Sequence, residues 1–187
     1  MASAPPDEPR LEPLQRSLPG AEWEAAVTEA YATWHEQLFG FLTNATRDRE
    51  IAEDLLQETF LRLVAEMREG RAPEEVRPWL YRVASNLVVS RARRRAVAGR
   101  WLSHLVVRET SDPADAELLR QERAGDLERI LAHLKPEARV GLLLAAHGFS
   151  GLEVATALNR SEGSTRVLLC RARLQLRQLI EAEEAQA

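Results

Sequence analysis

Apolar residues recur at intervals of three and four along most of this chain, and this spacing is the strongest constraint on its fold. It places apolar side chains on one face of an α-helix, whereas a half-buried strand would show strict alternation. No stretch alternates for long, and glycine and proline punctuate the chain about once per helix. The sequence therefore predicts an all-α protein.

Three long helices are predicted in the N-terminal half, over about 21–44, 49–68 and 76–98. Each carries an apolar stripe that would face a shared core. The stripes are Trp23, Val27, Tyr31, Trp34, Leu38 and Phe41; then Ile51, Leu55, Leu56, Phe60, Leu63, Val64 and Met67; then Trp79, Leu80, Val83, Leu87 and Val88. Gly70 and Pro73 break the chain before the third helix, and the three helices are predicted to form one domain.

Shorter helices are predicted in the C-terminal half. One ends near Leu134, and the next opens at Pro136 and ends at His147-Gly148, where glycine is a C-cap signal. The pattern predicts small helices connected by tight turns.

The last two of these helices have the pattern of a helix-turn-helix. Ser150 and Glu153 form a capping box that opens a short helix, and Asn159 tolerates the left-handed conformation that ends it. Ser161 then caps a final helix that runs to about Glu181. Capped short helix, turn and capped longer helix favour a DNA-binding module.

The punctuation divides the chain into four parts. These are a proline-crowded flexible tail over 1–20, a helical domain over 21–100, a linker over 101–112 and a second helical domain over 113–187. Asp112-Pro113 is typical of an N-cap followed by proline in the first helical turn, so the boundary is placed there.

The charge is unevenly distributed along the chain. The net charge is −4, yet residues 76–100 contain seven arginines and no acid, and residues 160–177 contain five arginines against Glu162 alone. Such segregation creates local positive surface that the total conceals. We therefore expect two basic helices suited to nucleic acid, over which acidic segments of the same chain can fold.

Several functional classes lack the residues that they need. No apolar run is long enough to span a membrane, and the single cysteine, Cys170, allows no internal disulfide, which fits a reducing cytoplasm. The four histidines are dispersed, and no glycine-rich phosphate loop or catalytic set is evident. The sequence predicts neither enzyme activity nor a metal or cofactor.

The final helix has two distinct faces. The residues predicted to pack inward are Thr165, Leu169, Ala172 and Leu176, and those predicted to face outward are Arg166, Cys170, Arg173 and Arg177, with Val167 and Arg171 flanking them. An arginine-studded outer face suits reading of the major groove. On spacing alone, a merely solvated arginine face explains the pattern equally well.

Three segments resemble sigma factors of bacterial RNA polymerase, in order and at matching distances. AEDLLQETFLR over 52–62 resembles the polymerase-binding helix of the second sigma domain, and PWLYRVASNL over 78–87 with Arg91–Arg95 resembles its promoter-melting helix. GFSGLEVA over 148–155, with SEGS and RAR after it, resembles the fourth sigma domain. The chain is similar to the extracytoplasmic-function (ECF) group over about 21–182.

This resemblance implies roles for particular residues. It implies binding of the clamp helices of core RNA polymerase by Asp54, Gln57 and Glu58; contact with the −10 element by Trp79, Arg82, Asn86, Arg91, Arg93, Arg94 and Arg95; and reading of the −35 element by Ser164, Arg166, Val167, Cys170 and Arg171. Tyr81, like Trp79, is a candidate for stacking on an unpaired base. The implied partners are core polymerase, promoter DNA and an anti-sigma factor.

The reading helix departs from the family pattern. Leu168 stands where a basic residue is common, and Cys170 where histidine or an aromatic residue is common. Promoter preference is therefore not carried over. Two other functions remain open from the sequence: a helix-turn-helix regulator that acts without polymerase, and an adaptor that binds only protein.

Overall fold

The computed structural model describes residues 22–102 and 131–184 of the protein. Within those ranges all regular secondary structure is helical, which confirms the predicted all-α class. The elements are α1 (Glu22–Thr46), α2 (Arg49–Arg68), α3 (Val76–Leu102), α4 (Pro136–Ala146), α5 (Gly151–Ala157) and α6 (Glu162–Glu184). The predicted tail over 1–20 and the Asp112-Pro113 cap lie outside the described residues.

The turns form where the local signals predict them. Glu153 N donates to Ser150 Oγ at 3.3 Å and Ser150 N donates to Glu153 Oε2 at 2.7 Å, which completes the capping box of α5. Gly148 ends α4 with φ of 84°, and Asn159 follows α5 with φ of 51°. Both lie in the left-handed region that favours these residues after a helix.

Two expectations of the N-terminal half are corrected. Helix α3 continues to Leu102, into the segment predicted as linker. The segment lacks an apolar period, but it contains no residue that must break a helix. Tyr31, predicted to face the core, is 48% exposed. It lies at the edge of the α1 stripe, where its ring stacks on His35 and meets the edge of Phe60.

The stripes of α1, α2 and α3 otherwise meet in one core. Its fully buried members include Leu38, Phe41, Leu63 and Leu80. In the C-terminal half, α4, α5 and α6 pack closely at Gly141, where an added Cβ would lie 3.1 Å from a methyl of Leu169. A side chain at position 141 would therefore require the Leu169 methyl to shift by a few tenths of an ångström.

The two halves also pack against each other, with α4 on α1 and α3 and α5 on α3. Arg77 Nη2 donates to the carbonyl oxygen of His147 at 2.6 Å, and its guanidinium lies 4.6 Å from the ring centroid of Phe149. Tyr81 Oη lies 3.2 Å from His147 Nδ1. This interface sets how the candidate functional surfaces face one another.

Candidate nucleic-acid interface

The polar side of α2 displays the residues assigned to polymerase. Asp54 and Gln57 are exposed, and Glu58 is half-buried and pairs with Arg62 at 2.9 Å, one helical turn away. Leu61 lies beside them and is 56% exposed. We call Asp54, Gln57, Glu58 and Leu61 the α2 outer face.

Leu61 is a residue that the sequence reasoning missed. The sequence feature that could have identified it is its position outside the apolar stripe of α2, where a leucine cannot pack into the core. An apolar contact among polar ones is typical of the centre of a protein interface.

Helix α3 separates its arginines into two sides. Arg82, Asn86 and Arg93 are exposed and fall on one side, because their spacings of four and seven return to nearly the same angle around a helix. Arg91 and Arg95 lie roughly opposite, about 180° and about 140° from Arg82 respectively at 3.6 residues per turn.

Arg94, also exposed, lies between these two sides, with its Nε 3.4 Å from the carbonyl oxygen of Ser90. The structure therefore does not bring the predicted −10 set together on one surface.

Trp79 and Tyr81 differ in exposure. Trp79 is half-buried and, with Arg82, lines a cleft of about 440 Å³ that faces α5. Tyr81 is fully buried, with its ring centroid 5.1 Å from that of Phe41 and 4.9 Å from that of Phe149. In this arrangement Tyr81 is not accessible to an unpaired base, because its side chain is buried against Phe41 and Phe149.

One carboxylate shields part of the basic helix. Glu137 of α4 pairs with Arg93 of α3 and accepts from Arg160 Nη1 at 2.6 Å. The hydrogen bond from Arg93, helped by the charge of Arg160, lowers the pKa of Glu137, so the carboxylate stays ionised. An arginine assigned to DNA is thereby neutralised by the C-terminal half of the same chain.

Helix α6 presents the surface predicted for the −35 element. Thr165, Leu169 and Ala172 are buried, as predicted, and the side chains assigned to reading lie on the opposite side. Of these, Arg166, Val167, Cys170 and Arg171 are exposed, and Ser164 is half-buried with its amide donating to Ser161 Oγ at 3.3 Å. The reading residues thus form a continuous surface over the first turns of the helix.

Neither a metal site nor a membrane span is found in the part of the chain that the structure describes. No cluster of three or more histidine, cysteine or acidic side chains there has metal-binding geometry. None of the described helices combines the length and apolar character needed to cross a bilayer.

Comparison with known proteins matches both halves of the chain to family models. Sigma-70 region 2 matches residues 30–97, and Sigma-70, region 4 matches residues 124–176. The first match covers the segments around Asp54 and Asn86, which a helix-turn-helix regulator without polymerase would leave unexplained. The second covers the helix-turn-helix, which an adaptor that binds only protein would not require. Neither alternative is favoured.

Individual relatives agree with these matches. ECF RNA polymerase sigma factor SigM of Bacillus subtilis is 26% identical over 157 residues, which cover 82% of this chain and 94% of the relative. SigX of the same organism is 28% identical over 160 residues, 81% of each chain.

A solved structure shares the fold. The sigma factor RpoE from Bartonella quintana, crystallised with the anti-sigma factor NepR, superposes with a TM-score of 0.64 at 21% identity, covering 87% of this chain and 98% of that one. With helix-turn-helix geometry and both regional matches in one chain, the protein belongs to the sigma-70 family, in the extracytoplasmic-function group.

Proposed function

We propose that this protein binds core RNA polymerase through the α2 outer face and directs it to promoters through α3 and α6. The observation that carries the proposal is the coexistence, in one chain, of a region 2 helix bundle and a capped helix-turn-helix with exposed arginines. A regulator that only bound duplex DNA would need the second feature alone.

The proposed division of labour follows the two halves. Residues 21–102 bind polymerase and melt the −10 element, a segment of about 103–112 links the halves, and residues 113–187 read the −35 element. The exposed arginines attract phosphate, and release of counterions supplies affinity. Specificity comes from side chains of α6 that reach base edges in the major groove.

The proposal includes the setting in which the protein works. It acts as a transcription factor without catalysing a reaction of its own, and it works in the cytoplasm with polymerase and promoter DNA. The solved relative in complex with an anti-sigma factor supports a protein antagonist of that class for this chain as well.

Reconstituted transcription tests the proposed function. Core polymerase with this protein and a library of random promoter fragments should produce transcripts from defined start sites that share −10 and −35 sequences. Core polymerase alone is the control. Transcripts that are the same with and without the protein would contradict the proposal.

A further inference from the structure

A second cleft between the two halves has an unusual lining. It has a volume of about 250 Å³ and lies between the end of α1, the middle of α3 and the start of α4. Three arginines line it, Arg91 and Arg95 from α3 and Arg139 from α4, and among the described residues no acidic side chain does. Its positive charge therefore comes from both halves of the chain.

Arg139 is the most constrained of the three. Its side chain is buried, only 7% exposed, and donates to the carbonyl oxygens of Ala45 at 3.1 Å and Leu134 at 3.2 Å. Its Nε has no hydrogen-bond partner in the part of the chain that the structure describes. Burial, together with the charge of Arg47, lowers the pKa of Arg139. A buried charge that pairs only with neutral oxygens is costly, and an anion would offset that cost.

Arg91 adds a second unsatisfied donor. Its Nε is buried and likewise lacks a hydrogen-bond partner within the described ranges. Two buried guanidinium N–H groups without acceptors at one cleft are unusual, because buried donors are normally paired. Both belong to residues that line the same space.

The surroundings strengthen the positive potential. Pro136, the first residue of α4, lines the cleft, so the partly positive N-terminal end of that helix lies beside it. Two acids close in the chain are engaged elsewhere: Glu137 pairs with Arg93 and Arg160, and the carboxylate of Asp48 accepts from Ile51 N at 3.0 Å to cap α2. Glu50, next to Ile51, is exposed and does not line the cleft.

We propose that this cleft binds a small phosphate anion, of the orthophosphate or diphosphate class, that bridges α3 and α4. Guanidinium groups match phosphate oxygens through paired, charge-assisted hydrogen bonds. The cleft is smaller than the roughly 300–1,000 Å³ typical of sites for drug-sized ligands, which favours a small anion over a whole nucleotide. Because Arg139 and Arg91 come from different halves, the bound anion stabilises the packing of α4 on α1 and α3.

Isothermal titration of the full chain with sodium phosphate and with sodium diphosphate, at constant ionic strength, tests the site directly. Saturable binding with one site per chain is expected, with chloride as the reference anion. Arg91→Gln and Arg95→Gln should each weaken binding about tenfold or more, the effect of losing one charge-assisted hydrogen bond. The matched control is Arg94→Gln, which removes the same charge from an exposed position on α3 and should leave affinity unchanged.

Hydrogen exchange provides a second readout that does not depend on substitution. Phosphate should slow exchange of backbone amides at the end of α1 and the first turns of α4 in the wild-type chain. Arg139→Lys, which keeps the charge but loses the paired N–H donors of the guanidinium group, should also weaken phosphate binding. Circular dichroism shows whether each variant is folded.

Three outcomes would overturn the proposal. These are the absence of saturable binding by either anion, equal loss of affinity in Arg94→Gln and Arg91→Gln, and loss of duplex DNA affinity in Arg91→Gln with phosphate affinity unchanged. The last result would assign these arginines to the DNA backbone. No polymerase enters these measurements, so their outcome is independent of the proposed function.

Discussion

At the scale of single residues, the reading helix poses a geometric question. Arg166 and Arg171 are both exposed on α6, yet a separation of five residues places them about 140° apart around the helix. They cannot both point at one base. Arginines at the two edges of a groove-facing surface can instead divide the work, one reaching a base edge while the other holds a phosphate.

Alanine substitutions at these two positions should therefore differ in kind. Arg166→Ala should relax preference at one or two −35 positions, since a bidentate arginine–guanine contact contributes about 1–3 kcal/mol of discrimination. Arg171→Ala should weaken binding to all promoters about equally. Selection from a −35 library with polymerase holoenzyme measures both effects.

The neighbouring Cys170→Ser serves as the conservative control on the same surface and should alter the selected sequences little. Identical preferences for wild type and both arginine variants would remove α6 as the source of −35 reading.

At the scale of the element, each long helix has a core side and a working side. In α2 the two sides are separate, because the buried positions follow the helical period along one side of the helix. The α2 outer face lies on the opposite side. The residues proposed to bind polymerase thus contribute little to folding. Function and stability can be changed independently in this helix.

A double substitution on α2 should show that independence. Asp54→Ala with Gln57→Ala should change the free energy of unfolding by no more than about 0.5 kcal/mol per site, as surface changes usually do. Affinity for core polymerase should fall about tenfold or more, the scale of losing interface side chains that each contribute more than about 1 kcal/mol. Thermal melting and a fluorescence binding assay with core polymerase measure the two quantities.

Arg49→Ala, which removes an exposed side chain at the start of the same helix, is the control for nonspecific effects. If the double variant binds core polymerase as tightly as the wild type, the α2 outer face is only solvated surface.

At the scale of the whole molecule, the C-terminal half lies against the basic helix of the N-terminal half. The packing neutralises Arg93 through Glu137 and buries Tyr81 against His147 and Phe149. Both surfaces assigned to promoter DNA are thus present, but one is partly covered by the packing of the other half. The protein without polymerase is expected to bind duplex DNA poorly.

Removal of the shielding carboxylate should raise DNA affinity. Glu137→Gln leaves Arg93 and Arg160 without their anion, so the protein alone should bind duplex DNA more tightly and with a steeper salt dependence. The log–log slope should steepen by roughly one for each further phosphate that these arginines neutralise. Titration of labelled duplex at several salt concentrations measures both. Glu66→Gln, which removes a carboxylate paired with Arg71 far along the chain, should leave the slope unchanged.

The interface between the halves should also respond to pH. Burial, and then the charge of Arg77, lowers the pKa of His147 below its ordinary value near 6.5. The unfolded chain therefore takes up a proton at a higher pH than the folded one. The contribution of His147 to the free energy of unfolding is complete above about pH 6.5, and it is lost as the pH falls from there toward the pKa of the folded state.

Thermal melting between pH 8 and pH 5 measures this loss. His147→Phe, which keeps an aromatic ring against Phe41 and Tyr81, should flatten the dependence, whereas His133→Gln at an exposed position should not. A wild-type profile that does not fall below pH 6.5 would contradict the assignment.

The sequence by itself determined the local structure. Ser150 and Glu153 cap α5, Gly148 and Asn159 end helices, and the faces of α6 follow the period of Thr165 and its neighbours. Each of these features depends on residues within about four positions, where helix geometry fixes which groups meet. For the same reason the candidate polymerase and −35 surfaces were predictable from single helices, as was membership of the family from motifs within them.

Only the tertiary structure decided which residues of different helices contact one another. Tyr81 is buried, Arg93 is paired, and Arg91 lines a cleft with Arg139 because α4 packs across α1 and α3. Those partners lie about 40 or more residues apart in the chain, so no local period records them. Which of two chemically suitable faces becomes an interface depends on the packing of complementary surfaces, a property of the folded molecule.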